Sequence, residues 1–267
     1  MNPLKYWNPD GFEISSYKYS LKERINQTYS TSGSDNTGIC TYTYNELGFR
    51  GDSIKKEGFK VMSLGCSITE GVGVGDTETW PAQFCSHIGN SVNLNFGTGG
   101  RSNDFICRCL MSYYDLIKPD LVLIMYTFPH RREIYTEDNG IEPYVPANAW
   151  GKLSETKDGQ LIQYSMDILQ NDNSDFINWY KNHQLIKLFL ESKKCNWVWD
   201  AKHIGTEYTE FNRFDLLDKI DSGKGGADNL HPGASCHKEY GMVLHDYIKL
   251  KFPEYLKSST IERTKLV

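Results

Sequence analysis

The sequence predicts an α/β protein, a three-layer α/β/α sandwich on a parallel sheet, preceded by an N-terminal arm. Three observations predict it. Apolar runs of strand length recur at 60–64, 92–96, 121–127 and 196–199, each bounded by turn residues or charges. Helical stretches with one apolar face lie between and after them, and strand–helix alternation of this kind gives a parallel sheet covered on both faces. The chain has 267 residues, 39% apolar and 24% charged, which suits one large globular domain or a medium domain with an arm.

Residues 1–58 are polar, rich in Tyr, Ser and Thr, and weakly periodic. They read as an arm packed on a main domain at 59–267. Within the arm, Asn45-Glu46-Leu47-Gly48-Phe49-Arg50-Gly51 reads as a turn with an anchored Phe. The first strand, Val61-Met62-Ser63-Leu64, stops at Gly65, and Cys66 and Ser67 follow. Next, Trp80, Phe84 and Ile88 share a helical face, with Pro81 in the first turn and Gly89 past the end. From Ser102, a predicted N-cap, positions 106, 109, 110, 113, 116 and 117 are apolar, and Pro119 follows the stop. A polar insertion at about 128–174 is long enough to suggest a substrate lid. A helix over 175–193 carries Phe176, Tyr180, Ile186 and Leu190, and a last helix after Pro232-Gly233 carries Tyr240, Val243, Leu244, Tyr247 and Ile248.

Composition excludes several partners. Net charge is −5 with both signs interspersed, so no basic stripe points to nucleic acid and no polybasic cluster to a membrane surface. No apolar stretch approaches the ~18 residues of a membrane span. The opening MNPLKYWNPDGF lacks a basic-then-apolar pattern. The seven cysteines are odd in number and scattered (40, 66, 85, 107, 109, 195, 236), which suits free thiols in a reducing compartment. A cytoplasmic protein is expected. Without C-x-x-C or H-E-x-x-H, no metal and no cofactor is expected.

Right-handed crossovers place all strand C-termini at one edge, where ligands of open α/β sheets bind. The residues to inspect are therefore Gly65-Cys66-Ser67, Gly97-Thr98-Gly99-Gly100, Thr127-Phe128-Pro129-His130 and Asp200. A serine on a strand-to-helix turn exposes its hydroxyl, but it needs a base to take its proton. Ala227-Asp228-Asn229-Leu230-His231-Pro232-Gly233 offers one. A carboxylate three residues before a histidine can bond Nδ1 and leave Nε2 for the serine. Plainer readings stay open: Ser67 as a helix cap, Cys66 as the nucleophile, His231 as a turn histidine, and Trp197 and Trp199 as core.

Gly65-Cys66-Ser67-Ile68-Thr69-Glu70-Gly71, then Asn95-Phe96-Gly97, then Asp228-Asn229-Leu230-His231-Pro232 resemble the first, second and fifth blocks of the SGNH (GDSL-type) esterase/lipase hydrolases, in order and in rough spacing. The resemblance covers about 60–250, and Leu47-Gly48-Phe49-Arg50 is similar to an element often found upstream of the first block. It implies a flavodoxin-like parallel sheet and hydrolysis of a carboxylic ester. Ser67 would be nucleophile and first oxyanion donor, the Gly97 N–H the second donor, and Asp228 and His231 the rest of the triad. A small-molecule or carbohydrate ester is the implied substrate, O-acetyl groups on a carbohydrate among them. O-acyl transfer and a non-catalytic carbohydrate-binding or structural role are the alternatives.

Two positions depart from the family pattern. Cys66 stands where the family has aspartate. The third block, normally G-x-N-D, reads Tyr126-Thr127-Phe128-Pro129-His130-Arg131 and lacks the asparagine that supplies a third oxyanion donor. Asn103 is the first candidate to replace it, Thr127 the second and His130 the third. His130 and Arg131, at the same edge, are candidate substrate-binding residues for an anionic or sugar substrate.

Overall fold

The four apolar runs form the parallel strands of one sheet. The computed structural model describes residues 24–32, 39–136, 140–144, 171–201, 210–211, 213–217, 226–227 and 230–253. In chain order the strands are β1 (Thr28–Ser32), β2 (Ile39–Thr43), β3 (Arg50–Gly51), β4 (Phe59–Gly65), β5 (Ser91–Gly97), β6 (Leu121–Tyr126), β7 (Arg132–Thr136), β8 (Gly140–Tyr144) and β9 (Asn196–Ala201). The helices are α1 (Ser67–Glu70), α2 (Trp80–Ser86), α3 (Asn103–Ile117), α4 (Asp172–Ser192) and α5 (Ala234–Lys251).

The central sheet has the order β3-β5-β4-β6-β9. β5, β4, β6 and β9 are parallel, and β3 pairs antiparallel with β5 through Arg50–Asn95 and Gly51–Leu94. The arm therefore supplies the edge strand of the main sheet. Side chains alternate along each parallel strand and so build two cores. Met62, Leu64, Val122, Ile124 and Tyr126 face α3 and α4 together with Ile106, Leu110, Trp179 and Ile186. Val61, Leu121, Leu123, Met125 and Val198 face α2 and α5 together with Trp80, Phe84, Tyr240 and Leu244. Helices on both faces of a mostly parallel sheet make the predicted α/β/α sandwich.

Strand order fixes where a site forms. β4 is central, its successor β5 lies on one side and β6 on the other. The chain reverses its direction of travel across the sheet at the C-terminal end of β4, the place where open α/β sheets bind ligands. Gly65, Cys66 and Ser67 sit at that point. The insertion after β6 begins with an antiparallel hairpin, β7 on β8. Its base is clamped to α3, where Arg108 donates to both Glu133 carboxylate oxygens at 2.9 and 2.6 Å. The rest of the insertion expected at 128–174 falls mainly on 137–139 and 145–170, outside the described residues. Among the described residues no helix is long and apolar enough to cross a membrane.

Candidate active site

β4 can end in a serine turn because Gly65 has no side chain. A Cβ there would lie 2.0 Å from Thr69 Oγ1 and 3.0 Å from the Met125 carbonyl. α1 thus folds back directly over the end of its own strand. Gly97, at the end of β5, is as constrained: a Cβ would lie 2.2 Å from the Glu70 N. The two strand ends and the first helical turn are in backbone contact, which larger residues would prevent. Ser67 opens α1 half-buried, and its Oγ meets Cys66 Sγ at 3.8 Å. Cys66, the N-cap of α1, makes no side-chain cap bond.

His231 reaches this edge through the loop behind Ser67. The Gly226 N–H donates to the His231 carbonyl at 2.7 Å, closing the segment on itself. The Ala227 N–H donates to the Gly73 carbonyl at 2.8 Å, tying that segment to the loop that follows α1. α5 then starts at Ala234, and its buried His237 accepts the Trp80 N–H on Nδ1 at 3.1 Å. That bond satisfies a donor at the start of α2 that the helix itself leaves unpaired. Burial lowers the His237 pKa to about 3, with Arg50 and His231 pushing the same way, so the ring is neutral.

Ser67 and His231 line one cavity of about 170 Å³. Its walls are mostly apolar, from Ile68, Met125, Phe128, Phe214, Leu217 and Pro232, and its other polar side chains include Tyr126, Thr127 and Arg131. Asp228, the expected orienting carboxylate, lies outside the described residues. His130 is half-buried against the Phe128 ring at 5.3 Å and is not part of the cavity wall.

Two expected oxyanion donors are engaged elsewhere. The Gly97 N–H donates to Asn95 Oδ1 at 2.9 Å, a local bond of the Asx type. Asn103 is fully buried, accepts the Thr127 N–H on Oδ1 at 2.9 Å and donates to the Thr127 carbonyl at 3.2 Å. It fastens the end of β6 and does not line the cavity. Thr127 does line the cavity. Its Oγ1 accepts from Arg131 Nη1 at 3.1 Å, which leaves the hydroxyl proton available to a ligand.

The loop after β5 shows which N–H remains. The Thr98 N–H goes to the Gly65 carbonyl at 3.2 Å and the Gly99 N–H to Glu70 Oε2 at 2.6 Å. Gly100, at φ +71°, is the first position along the loop whose N–H has no partner among the described residues. The loop runs close to the serine: a Cβ on Gly99 would lie 3.7 Å from Ser67 Cβ.

Glu70 was not singled out in the sequence, yet it joins three parts of the molecule. Besides Gly99, its carboxylate accepts from Arg24 Nη1 at 2.9 Å and from the Tyr44 hydroxyl at 3.0 Å. Burial and the adjacent carboxylate push the Tyr44 phenol well up. Arg50, almost fully buried, donates to the carbonyls of Glu70 and Gly71 at 2.8 Å each, to that of Val74 at 3.1 Å, and to Asp76 Oδ1 at 2.7 Å. The arm thus braces the serine turn from behind. The signal available in the sequence was a charged residue, Glu70, between buried Thr69 and the glycines.

No family model matches the chain, and no curated protein matches it. Among solved structures it is similar to a psychrotrophic esterase from Pseudoalteromonas sp., at 13% identity over 73% of this chain and 100% of that one, TM-score 0.38. It is also similar to a family 3 carbohydrate esterase from Clostridium thermocellum, at 11% identity over 75% and 100%, TM-score 0.36. A member of the lipolytic protein G-D-S-L family from Veillonella parvula follows, at 13% over 73% and 98%, TM-score 0.33. The last carries the family name that the blocks at Ser67, Asn95 and His231 resemble. Likeness at this level carries no argument by itself. The fold class rests on strand order and the two cores, and the site on its own geometry.

Proposed function

We propose that the protein is a serine hydrolase that cleaves a carboxylic ester through an acyl-enzyme. The observation that supports it is the meeting of Ser67 and His231 on one cavity wall at the switch point of the sheet, from opposite ends of the domain. Ser67 Oγ attacks the acyl carbon while His231 takes the hydroxyl proton. The negative charge that develops on the carbonyl oxygen is met by the N–H groups of Ser67 and Gly100 and by the Thr127 hydroxyl. Collapse breaks the acyl C–O bond, and the alcohol leaves with the proton from His231. In the second half His231 takes a proton from water, the hydroxide attacks the acyl carbon, and Ser67 leaves with its proton restored. Asp228 has the role of orienting the imidazole. An O-acyltransferase would differ only in a second alcohol replacing water.

A fluorophosphonate probe tests this reading. Covalent labelling should map to Ser67 by peptide mass spectrometry, be absent in Ser67→Ala, and slow strongly in His231→Ala. A folded wild-type protein that takes no label would sink the proposal and favour a non-catalytic binding role.

A further inference from the structure

Ester hydrolysis does not require a guanidinium in the cavity, yet Arg131 lines it beside Ser67 and His231. A cation among apolar walls is costly unless it is paired. Five other arginines face carboxylates. Arg24 faces Glu70 at 2.9 Å, Arg50 faces Asp76 at 2.7 Å, Arg108 faces Glu133 at 2.6 Å, Arg132 faces Asp175 at 3.1 Å and Arg213 faces Asp215 at 3.4 Å. Arg131 faces no carboxylate among the described residues. It donates Nη1–H to Thr127 Oγ1 at 3.1 Å and lies over the Phe128 ring, 4.8 Å from its centroid. Its Nε is buried without a hydrogen-bond partner among the described residues. A hydroxyl and a ring face hold the guanidinium in position but do not neutralise it. The remaining N–H groups form a planar fork of the kind that suits a carboxylate.

We propose that Arg131 binds a carboxylate on the substrate, so that the preferred ester is anionic. This inference rests on the serine hydrolase reading. Arg131 selects the substrate and takes no part in bond making. The carboxylate is carried on either the acyl or the alcohol side of the ester.

Two matched ester pairs test it. On the acyl side, the para-nitrophenyl monoester of succinic acid is compared with para-nitrophenyl butyrate. On the alcohol side, para-acetoxybenzoate is compared with its methyl ester. The anionic member of at least one pair should be favoured in kcat/KM by about tenfold or more, the scale of one charge-assisted hydrogen-bonded pair. Arg131→Gln should lower that ratio about tenfold, Arg131→Lys should keep part of it, and about 0.5 M salt should reduce it in the wild type. The pair that responds identifies the side. No anionic preference in either pair, or a preference that survives Arg131→Gln, overturns the proposal. A binding arm separates this outcome from failure of the hydrolase reading. Monomethyl succinate and para-acetoxybenzoate are titrated calorimetrically into Ser67→Ala and into Ser67→Ala/Arg131→Gln. Binding of either to the first but not the second supports the anion site even if Ser67 proves unreactive. Binding to neither protein, or equally to both, overturns it.

Discussion

Glu70 Oε2 accepts the Gly99 N–H at 2.6 Å, so the turn that carries Ser67 and the loop after β5 are held as one piece. Arg24 and Tyr44 hold the other carboxylate oxygen from the arm. With the Thr98 and Gly99 N–H groups fixed to the two sides of the turn, the Gly100 N–H has no partner among the described residues. On the proposed serine hydrolase reading, Glu70 is a positioning residue that acts on the reacting atoms through a loop.

Glu70→Gln should lower kcat about ten- to a hundredfold with KM changed much less. The amide keeps the shape but replaces one anionic acceptor with a donor facing Arg24 and Tyr44, and a displacement of about 1 Å at a reacting centre costs on that scale. Steady-state kinetics and a thermal melt on the same preparation check it. Activity that falls only in proportion to folded protein would mean a purely structural role.

Thr127→Val and Asn103→Ala should separate chemistry from scaffold. Thr127→Val removes a hydroxyl that lines the cavity and should cut kcat by roughly ten- to a thousandfold with little change in KM. Asn103→Ala leaves the buried Thr127 N–H without its acceptor, so a stability loss of about 1–3 kcal/mol is expected. Chemical denaturation and kinetics on both variants decide it. A Thr127→Val enzyme with wild-type kcat would restrict the oxyanion hole to backbone donors.

What could be read in advance followed from local pattern. β4, β5, β6 and β9 were legible because each is an apolar run closed by turn residues. Ser102 as N-cap of α3 was legible because its side chain bonds the Phe105 N–H only three residues on. Ser67 and His231 were legible as residue types in turn contexts. β3 was not, since a strand of two residues shows no alternation. The bond of the Gly97 N–H to Asn95 was not read in advance, because the turn geometry decides which N–H groups of a four-residue loop are engaged. The folding back of Asn95 onto that N–H is a local habit of asparagine that could have warned of it. Glu70 was hidden for a different reason: its partners lie 46, 26 and 29 residues away in sequence.

The base of the β7–β8 hairpin should behave as a buried ion pair. Both side chains of Arg108 and Glu133 are under 10% exposed, at 7% and 9%. Arg108→Met strands the carboxylate and should cost about 3–5 kcal/mol, whereas Arg108→Met/Glu133→Leu should recover most of the loss. Denaturant midpoints for the two variants provide the comparison. A single variant costing under about 1 kcal/mol would show that the clamp contributes little.

Stability should fall as the pH drops below neutral, and His237 should carry part of the fall. Its pKa in the folded protein is lowered from 6.5 to about 3, chiefly by burial. Above 6.5 both folded and unfolded chains hold the ring neutral, and it contributes no pH dependence. Between 6.5 and about 3 the unfolded chain takes a proton that the folded chain refuses. Unfolding is then favoured by up to about 1.4 kcal/mol per pH unit. His183, lowered to about 4 by burial, acts in the same direction. Asp200 acts against both, because burial raises its pKa and the folded form takes up its proton more readily as pH falls. A variant isolates the contribution of His237. His237→Gln keeps an acceptor for the Trp80 N–H and removes the titration. Between pH 7 and about pH 5 the wild type should lose about 2 kcal/mol more than His237→Gln in urea unfolding. Equal losses in the two proteins would mean that the imidazole protonates in the folded state, and that α2 and α5 are joined at this point by a ring open to solvent.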